Sequence, residues 1–437
     1  MKLDRRTMIG AAAAAVATTA TAKPKLARGR AFPPGFLWGA ATAAHQVEGN
    51  NVNSDSWLME NVKPTAFAEP SGDADNSFEL WPTDLDLVRH LGLNSYRFSI
   101  EWARIEPEPG QFSIAMLDHY RAMIEGCRAR SITPLVTFNH FTTPRWFAGR
   151  GGWTQPDSPA LFARFCDRAA RHFAQHIGYA TTLNEPNLAG ALQLFLPPQV
   201  FEQQKAMGEA AGRAMGVSGF SGGLVVDAKL GEMVGANQVA AHQQGRAAIK
   251  AARSTLPVGV SLAMFDDQAA PGFEAARDAM RTRLYGRWVE AARNDDFLGV
   301  QNYERNVWTG KGRLPPPTGA TLNDSGAEIY PPSLAGAVRY AHAATGRPII
   351  VTEHGVNAAD DRLRAQLIPA ALSDLGKAIA DGVPVKGYMH WSLLDNFVWL
   401  FGFKPMFGLT AVDRTTFKRT PKPSAFVYGA IARRNAV

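Results

Sequence analysis

At 437 residues the chain is long enough for two ordinary domains or one barrel-sized domain, and with 46% hydrophobic residues, 10 Trp and 24 Phe it can build a large core and an aromatic-lined pocket. Its formal charge of +7 falls to about +5 once the net +2 of Lys2, Asp4, Arg5 and Arg6 is set aside, and no basic run interleaved with aromatics follows, which argues against a nucleic-acid partner. The two cysteines, Cys127 and Cys166, form neither a disulfide scaffold nor a zinc-ligand pattern and read as buried free thiols in helical segments.

In chain order, residues 1–22 come first: Arg5-Arg6, the apolar pair Met8-Ile9 and an alanine-rich run ending in Ala20-Thr21-Ala22. A charged start, an apolar middle and a small-residue cleavage site have the layout of a twin-arginine export signal. The expectation is cleavage after Ala22, a flexible tether over 23–31, one folded domain over 32–437, and a mature protein in the periplasm or secreted. The leader's apolar stretch is short for a span and no later one is long enough, so no stable membrane association is expected.

Short apolar runs then recur at Phe36–Thr42, Ser95–Ile100, Pro134–Phe138, Tyr179–Asn184, Val258–Ala263, Phe297–Tyr303, Pro348–His354 and Val385–Ser392. Between them, segments such as Asp84–Leu91, Ala115–Arg130, Pro159–His176, Gln238–Arg253, Phe273–Arg293 and Arg362–Asp381 have helical periodicity. Strands alternating with helices predict parallel βα units, and eight of them predict an α/β fold of one closed (β/α)8 TIM barrel, with its site at the carboxyl ends of the strands. A doubly wound open sheet is the competing fold, but no GxGxxG follows the first strand. The stretch Leu188–Gly235, which contains Leu194-Phe195-Leu196-Pro197-Pro198, fits either a long loop over the pocket mouth or a helix pair on the barrel rim.

Two of the predicted strands end in a carboxylate. Thr181, Thr182 and Leu183 run into Asn184, Glu185 and Pro186, and the proline cannot continue a ladder. Ile349 to Thr352 run into Glu353 and His354, with Gly355 to turn the chain. Either glutamate alone fits a surface ion pair equally well; together, at the tips of the fourth and seventh strands, they suggest a carboxylate pair closed up by the fold. Other strand-tip residues suit a pyranose: Gln46 and Glu48 after the first strand, Arg97 in the second, His140 after the third, Tyr303 after the sixth, and Trp391 and Trp399 after the eighth. Polar forks bond the hydroxyls, flat rings take the apolar face, and a carboxylate pair supplies acid/base and nucleophilic groups.

These residues fall in blocks. Phe36-Leu37-Trp38-Gly39-Ala40-Ala41-Thr42 with Gln46-Val47-Glu48-Gly49, Tyr96-Arg97-Phe98-Ser99-Ile100, Asn184-Glu185-Pro186, Val351-Thr352-Glu353 and Trp391-Ser392-Leu393-Leu394-Asp395-Asn396-Phe397 resemble, in the same order, the blocks of glycoside hydrolase family 1. The resemblance runs from about Phe32 to the Lys418–Lys422 run, nearly the whole mature chain. It implies an O-glycosyl hydrolase, a retaining β-glycosidase with no metal or organic cofactor, acting on an oligosaccharide or glycoside. By that resemblance Glu353 is the nucleophile and Glu185 the general acid/base, Arg97 lies beside Glu353, and Tyr303 orients it. Asn184 bonds the 2-hydroxyl, Gln46 and His140 hold hydroxyls of the terminal sugar, Trp391 is its floor and Trp399 stands at its rim.

The departures bear on specificity. The last block usually continues Glu-Trp, and that Glu holds the hydroxyls at carbons 4 and 6; here it continues Val398-Trp399. Gln301 and Asn302 stand where Asn and Tyr are usual, Phe141 replaces a frequent Trp, and His354 follows the nucleophile in place of Asn. The leading expectation is an exported exo-β-glycosidase, foremost a β-glucosidase, with a β-galactosidase or β-fucosidase as the alternative that Val398 raises. A transglycosylase on the same fold is a second reading, motivated by Leu194–Pro198 and Val398. A sugar-binding protein without catalysis is a third, and retention of both glutamates speaks against it.

Overall fold

The computed structural model describes residues 31–224, 227 and 229–437, so the expected export signal and all but the last residue of the expected tether lie outside the described residues. Eight parallel strands close into a barrel: β1 (Leu37–Ala41), β2 (Ser95–Ser99), β3 (Thr133–Asn139), β4 (Tyr179–Asn184), β5 (Val258–Ala263), β6 (Leu298–Asn302), β7 (Ile349–His354) and β8 (Val385–Trp391). Each pairs with the next and β8 pairs with β1, so no edge is left open. The fold is the predicted TIM barrel, and every strand falls on its predicted run to within a residue at each end.

Alternation along the strands divides the apolar core. Val258, Val260, Leu298, Val300, Ile349 and Val351 belong to the large cluster between barrel and helices, while Leu37, Leu135, Ile350 and Met389 plug the barrel interior. Helices Ile114–Ala129, Ser158–Phe173, Glu274–Ala292 and Asp361–Ala380 lie where periodicity placed them, while the helix expected from Gln238 begins earlier, at Gly231, and runs to Ala252. The helix expected from Asp84 begins earlier, at Ser77, and carries Pro82 inside it. Both cysteines are buried free thiols. Among the described residues no helix is long and apolar enough to cross a membrane.

Register slips shape the top of the barrel, and two of them bear on the site. Along β4 and β5, Thr181 pairs with Gly259 but Asn184 with Ser261, three steps against two. Along β7 and β6, Val351 pairs with Val300 but Glu353 with Gln301, two steps against one. An extra residue flips the phase of everything beyond it. In strict alternation Glu353 would share the outward face of Ile349 and Val351; the extra residue turns it into the barrel beside Gln301.

Of the two readings open for 188–235, the helix pair is the one found, as Leu188–Phe195 and Pro198–Met215. Met207 packs with Phe67 and Phe397, so the second helix braces the loops that follow β1 and β8. Leu194 and Phe195 pack on the main core, with Phe195 edge-on to Phe265 at 5.5 Å and covered by the Arg313 guanidinium at 4.3 Å.

Candidate active site

The two glutamates meet at the carboxyl end of the barrel. Glu353 is buried at 4% exposure and takes three donors: Arg97 Nη1 at 2.6 Å and Gln301 Nε2 at 2.7 Å to Oε1, and Tyr303 OH at 2.6 Å to Oε2. Glu185 lies just past β4, 8% exposed, at φ 44°. Its amide donates to Ser261 O at 2.8 Å, which anchors a backbone conformation unfavourable for a residue with a Cβ. Among the described residues no donor reaches its carboxyl group.

That asymmetry separates the two acids. Burial raises Glu353 above the ordinary carboxylate range, against the pull of Arg97 and the hydrogen bonds of Tyr303 and Arg97. Glu185 is pushed well above its ordinary value, first by burial and then by the charge of Glu353, with the charge of Arg97 pulling against them. The proton of the pair therefore resides on Glu185. Tyr303 is itself pushed well up by burial and the Glu353 charge, so it stays a donor.

Asn184 joins the carboxylate to the rest of the pocket. Its Oδ1 accepts from Arg97 Nη2 at 2.5 Å and Gln301 Nε2 at 2.8 Å, so its amide nitrogen faces His140 Nε2 at 3.2 Å as the donor. Burial and the Arg97 charge push His140 well below its ordinary value; it is neutral, with its proton assigned by this network to Nδ1. That Nδ1 is buried without a partner among the described residues, and so is Gln46 Oε1, because Gln46 Nε2 is engaged with Phe397 O at 2.6 Å and Asn396 Oδ1 at 3.3 Å. A buried lone donor and a buried lone acceptor at a strand-tip pocket are what sugar hydroxyls require.

Flat rings complete the pocket. Trp391 lies near-parallel to His140 at 5.7 Å, and Trp399 near-parallel to the same imidazole at 6.3 Å. Phe141 sets its edge to Trp399 at 5.4 Å. Phe141 and Trp399 have φ of 68° and 48°, so both residues, like Glu185, sit in the left-handed region. Val398 is half-buried, and its amide closes the Trp399–Phe401 turn through Gly402 O at 2.7 Å.

The structure thus brings Gln46, Arg97, His140, Asn184, Glu185, Gln301, Tyr303, Glu353, Trp391, Val398 and Trp399 to the carboxyl ends of the strands. Glu48 departs from expectation: its carboxylate takes Tyr120 OH at 3.1 Å and Arg104 Nε at 2.9 Å behind the strand, and it is not a sugar group. Asn302 holds the rim, donating to Met264 O and accepting from Ser333. His354 lies within 2.8 Å of the Tyr388 hydroxyl, and burial pushes it down to about 3. Gly355 serves close approach, since a Cβ there would lie 2.0 Å from Trp391 O. Sequence reasoning missed a buried layer under the pocket, His45, Asn51, Glu60 and Glu101; the only local signal was His45 adjoining Gln46 at a strand tip.

Comparison with known proteins agrees with this geometry. The family description "Glycosyl hydrolase family 1" matches residues 28–251 and 309–437. A solved beta-glycosidase, BGL167, is 45% identical with a TM-score of 0.87, covering 93% of this chain and 98% of its own. The apo structure of a beta-glucosidase 1317 is 41% identical, also at TM-score 0.87, covering 91% and 98%. Beta-glucosidase A of Thermotoga maritima is 28% identical over 442 residues, 93% of this chain and 98% of that protein. With two strand-tip glutamates in one barrel mouth and the family pattern across most of its length, this chain belongs to glycosyl hydrolase family 1 and is a glycosyl hydrolase.

Proposed function

We propose that the protein is an exported retaining exo-β-glycosidase that removes a terminal β-linked sugar by double displacement. The observation that carries this reading is the asymmetry of the pair: among the described residues Glu353 takes three donors and the Glu185 carboxyl none, so one is held as a carboxylate and the other keeps a proton. Glu353 attacks the anomeric carbon as the bond to the leaving oxygen breaks, and the Glu185 proton goes to that oxygen. The resulting ester removes the negative charge of Glu353, so the acidity of Glu185 rises and it becomes a base. Water then gives Glu185 a proton and attacks the same carbon, and the ester breaks. Two inversions return the starting configuration, a course that calls for carboxyl groups roughly 5–5.5 Å apart.

Arg97, Gln301 and Tyr303 aim the nucleophile, and Asn184 is braced to meet a hydroxyl. Gln46 Oε1 and His140 Nδ1 serve the remaining hydroxyls, with Trp391 and Trp399 against the apolar face of the ring. The printed names of the relatives favour a β-glucoside. Val398 supports a second reading on the glycone, in which a 6-deoxy or galacto sugar is accepted as well. Leu194 and Phe195 are engaged in packing, which leaves Val398 alone behind a transglycosylase reading. The leader supports export by the twin-arginine route to the periplasm or beyond.

Two experiments test this. Proton NMR of the first-formed sugar from an aryl β-glucoside is expected to show the β-anomer; an α-anomer refutes retention. Glu353→Ala is expected to abolish turnover, while Glu185→Ala spares the first step on aryl glycosides with good leaving groups. Equal loss in both variants on such a substrate refutes the roles.

A further inference from the structure

Trp399 belongs to a run of four near-parallel rings, and the outermost has no place in the mechanism above. His45 stacks on Trp399 with centroids 5.6 Å apart and planes 3° from parallel, a closer match than any other ring of the set. Its exposure is 1%, and both ring nitrogens are turned to protein: Nε2 lies 2.7 Å from Glu60 Oε1, and Nδ1 lies 3.2 Å from Asn51 Nδ2. Glu60 is in turn fixed, its Oε2 taking the Ser71 amide at 2.9 Å and the Ser71 hydroxyl at 2.7 Å. With its nitrogens occupied, His45 has only a face to offer, and Trp399 covers it.

Trp399 needs such support. Its φ of 48° is unfavourable for a residue with a Cβ, and it opens a short turn on a rim loop. That loop is tied to its neighbour by Ala68 N to Leu400 O at 3.0 Å, by Phe403 N to the Glu69 carboxylate Oε1 at 2.9 Å, and by Phe397, Leu400 and Phe403 packing with Phe67 and Met207. None of these contacts is made by the indole. At the adjoining position the Val398 side chain has no polar group with which to bind a sugar or reach the indole; its backbone amide closes the turn through Gly402 O at 2.7 Å.

We propose that His45, locked in plane by Glu60, is a positioning residue that sets the indole of Trp399 in the sugar pocket. This rests on Trp399 being a sugar contact, and the test keeps the two apart. In His45→Ala, KM for 4-nitrophenyl β-glucoside is expected to rise about tenfold, the size of one lost aromatic contact, with kcat changed less than about threefold. Acrylamide quenching of Trp399, taken as the difference from the same background carrying Trp399→Phe, is expected to rise about twofold as the ring loosens. His45→Phe keeps a plate and is expected to return both quantities to within about twofold of the wild type. Unchanged KM and unchanged quenching in His45→Ala overturn the proposal. So does a uniform loss of kcat on all substrates that His45→Phe fails to rescue. If His45→Ala does not fold, Glu60→Gln carries the test: loss of the anchor raises quenching, and wild-type quenching overturns the proposal. A wild-type KM in Trp399→Ala removes the sugar contact alone, while the quenching shift still reports the positioning.

Discussion

Tyr303→Phe deletes one hydroxyl from the donor set of Glu353 and leaves the ring that packs edge-on against Phe407 at 5.9 Å. The lost bond is 2.6 Å long, buried, and made to the carboxylate that carries the charge of the pair. Hydrogen bonds to charged groups contribute about 1.5–3 kcal/mol. This one favours the ionised form of Glu353, so its removal raises the acidity constant's midpoint and moves the acidic limb of kcat/KM to higher pH. Below both acidic limbs kcat/KM is proportional to the fraction ionised, so the full energy appears there as a loss of about 10- to 150-fold. On the plateau Glu353 is ionised in both proteins, and only the loss of aim remains. The assay is kcat/KM on 4-nitrophenyl β-glucoside from acidic to neutral pH. Superimposed acidic limbs, or one constant ratio at every pH, refute the reasoning.

Three further outcomes are expected. Glu101 is pushed up to about 7 by burial while accepting from Asn51 and Thr142, so between its ordinary 4.5 and about 7 the folded state holds a proton that the unfolded state has released. Stability contributed at this site falls with rising pH across that window, by about 3 kcal/mol, and is flat above it. Urea unfolding at pH 5 and 7.5 is expected to show Glu101→Gln gaining on the wild type at the higher pH, and parallel changes refute this. Val398→Glu restores a charged acceptor and is expected to raise the glucoside-to-fucoside ratio of kcat/KM at least about tenfold; an unchanged ratio means the side chain does not reach the sugar. Replacing Arg5 and Arg6 together by Lys is expected to retain the protein in the cytoplasm on cell fractionation, and undiminished export refutes the twin-arginine assignment.

The barrel was legible because each strand is a short apolar or β-branched run bounded by helices of clear periodicity, a local property that needs no knowledge of neighbours. The helix Ser77–His90 begins before the expected Asp84 and holds Pro82 within it, a residue whose missing N–H and fixed ring do not announce a helix interior. Glu48 misled because a carboxylate two residues from Gln46 reads like a pocket group, and nothing nearby in the chain reveals Arg104 and Tyr120 waiting behind it. The stacked layer of His45, Glu60 and Trp399 joins positions as far apart as 45 and 399, a relation no local pattern contains.

The sequence by itself determined the order of the strands, the carboxylate at the end of two of them, and the residue types available to meet a sugar. Tertiary structure alone decided where those groups point. The extra residues in β4 and β7 become visible only against the registers of their neighbours, β5 for the one and β6 and β8 for the other, because a strand's phase is defined by its partner. Likewise the two glutamates have the same chemistry in the sequence. They differ in the fold because Arg97, Gln301 and Tyr303, from three other parts of the chain, surround one carboxyl group and leave the other with its proton.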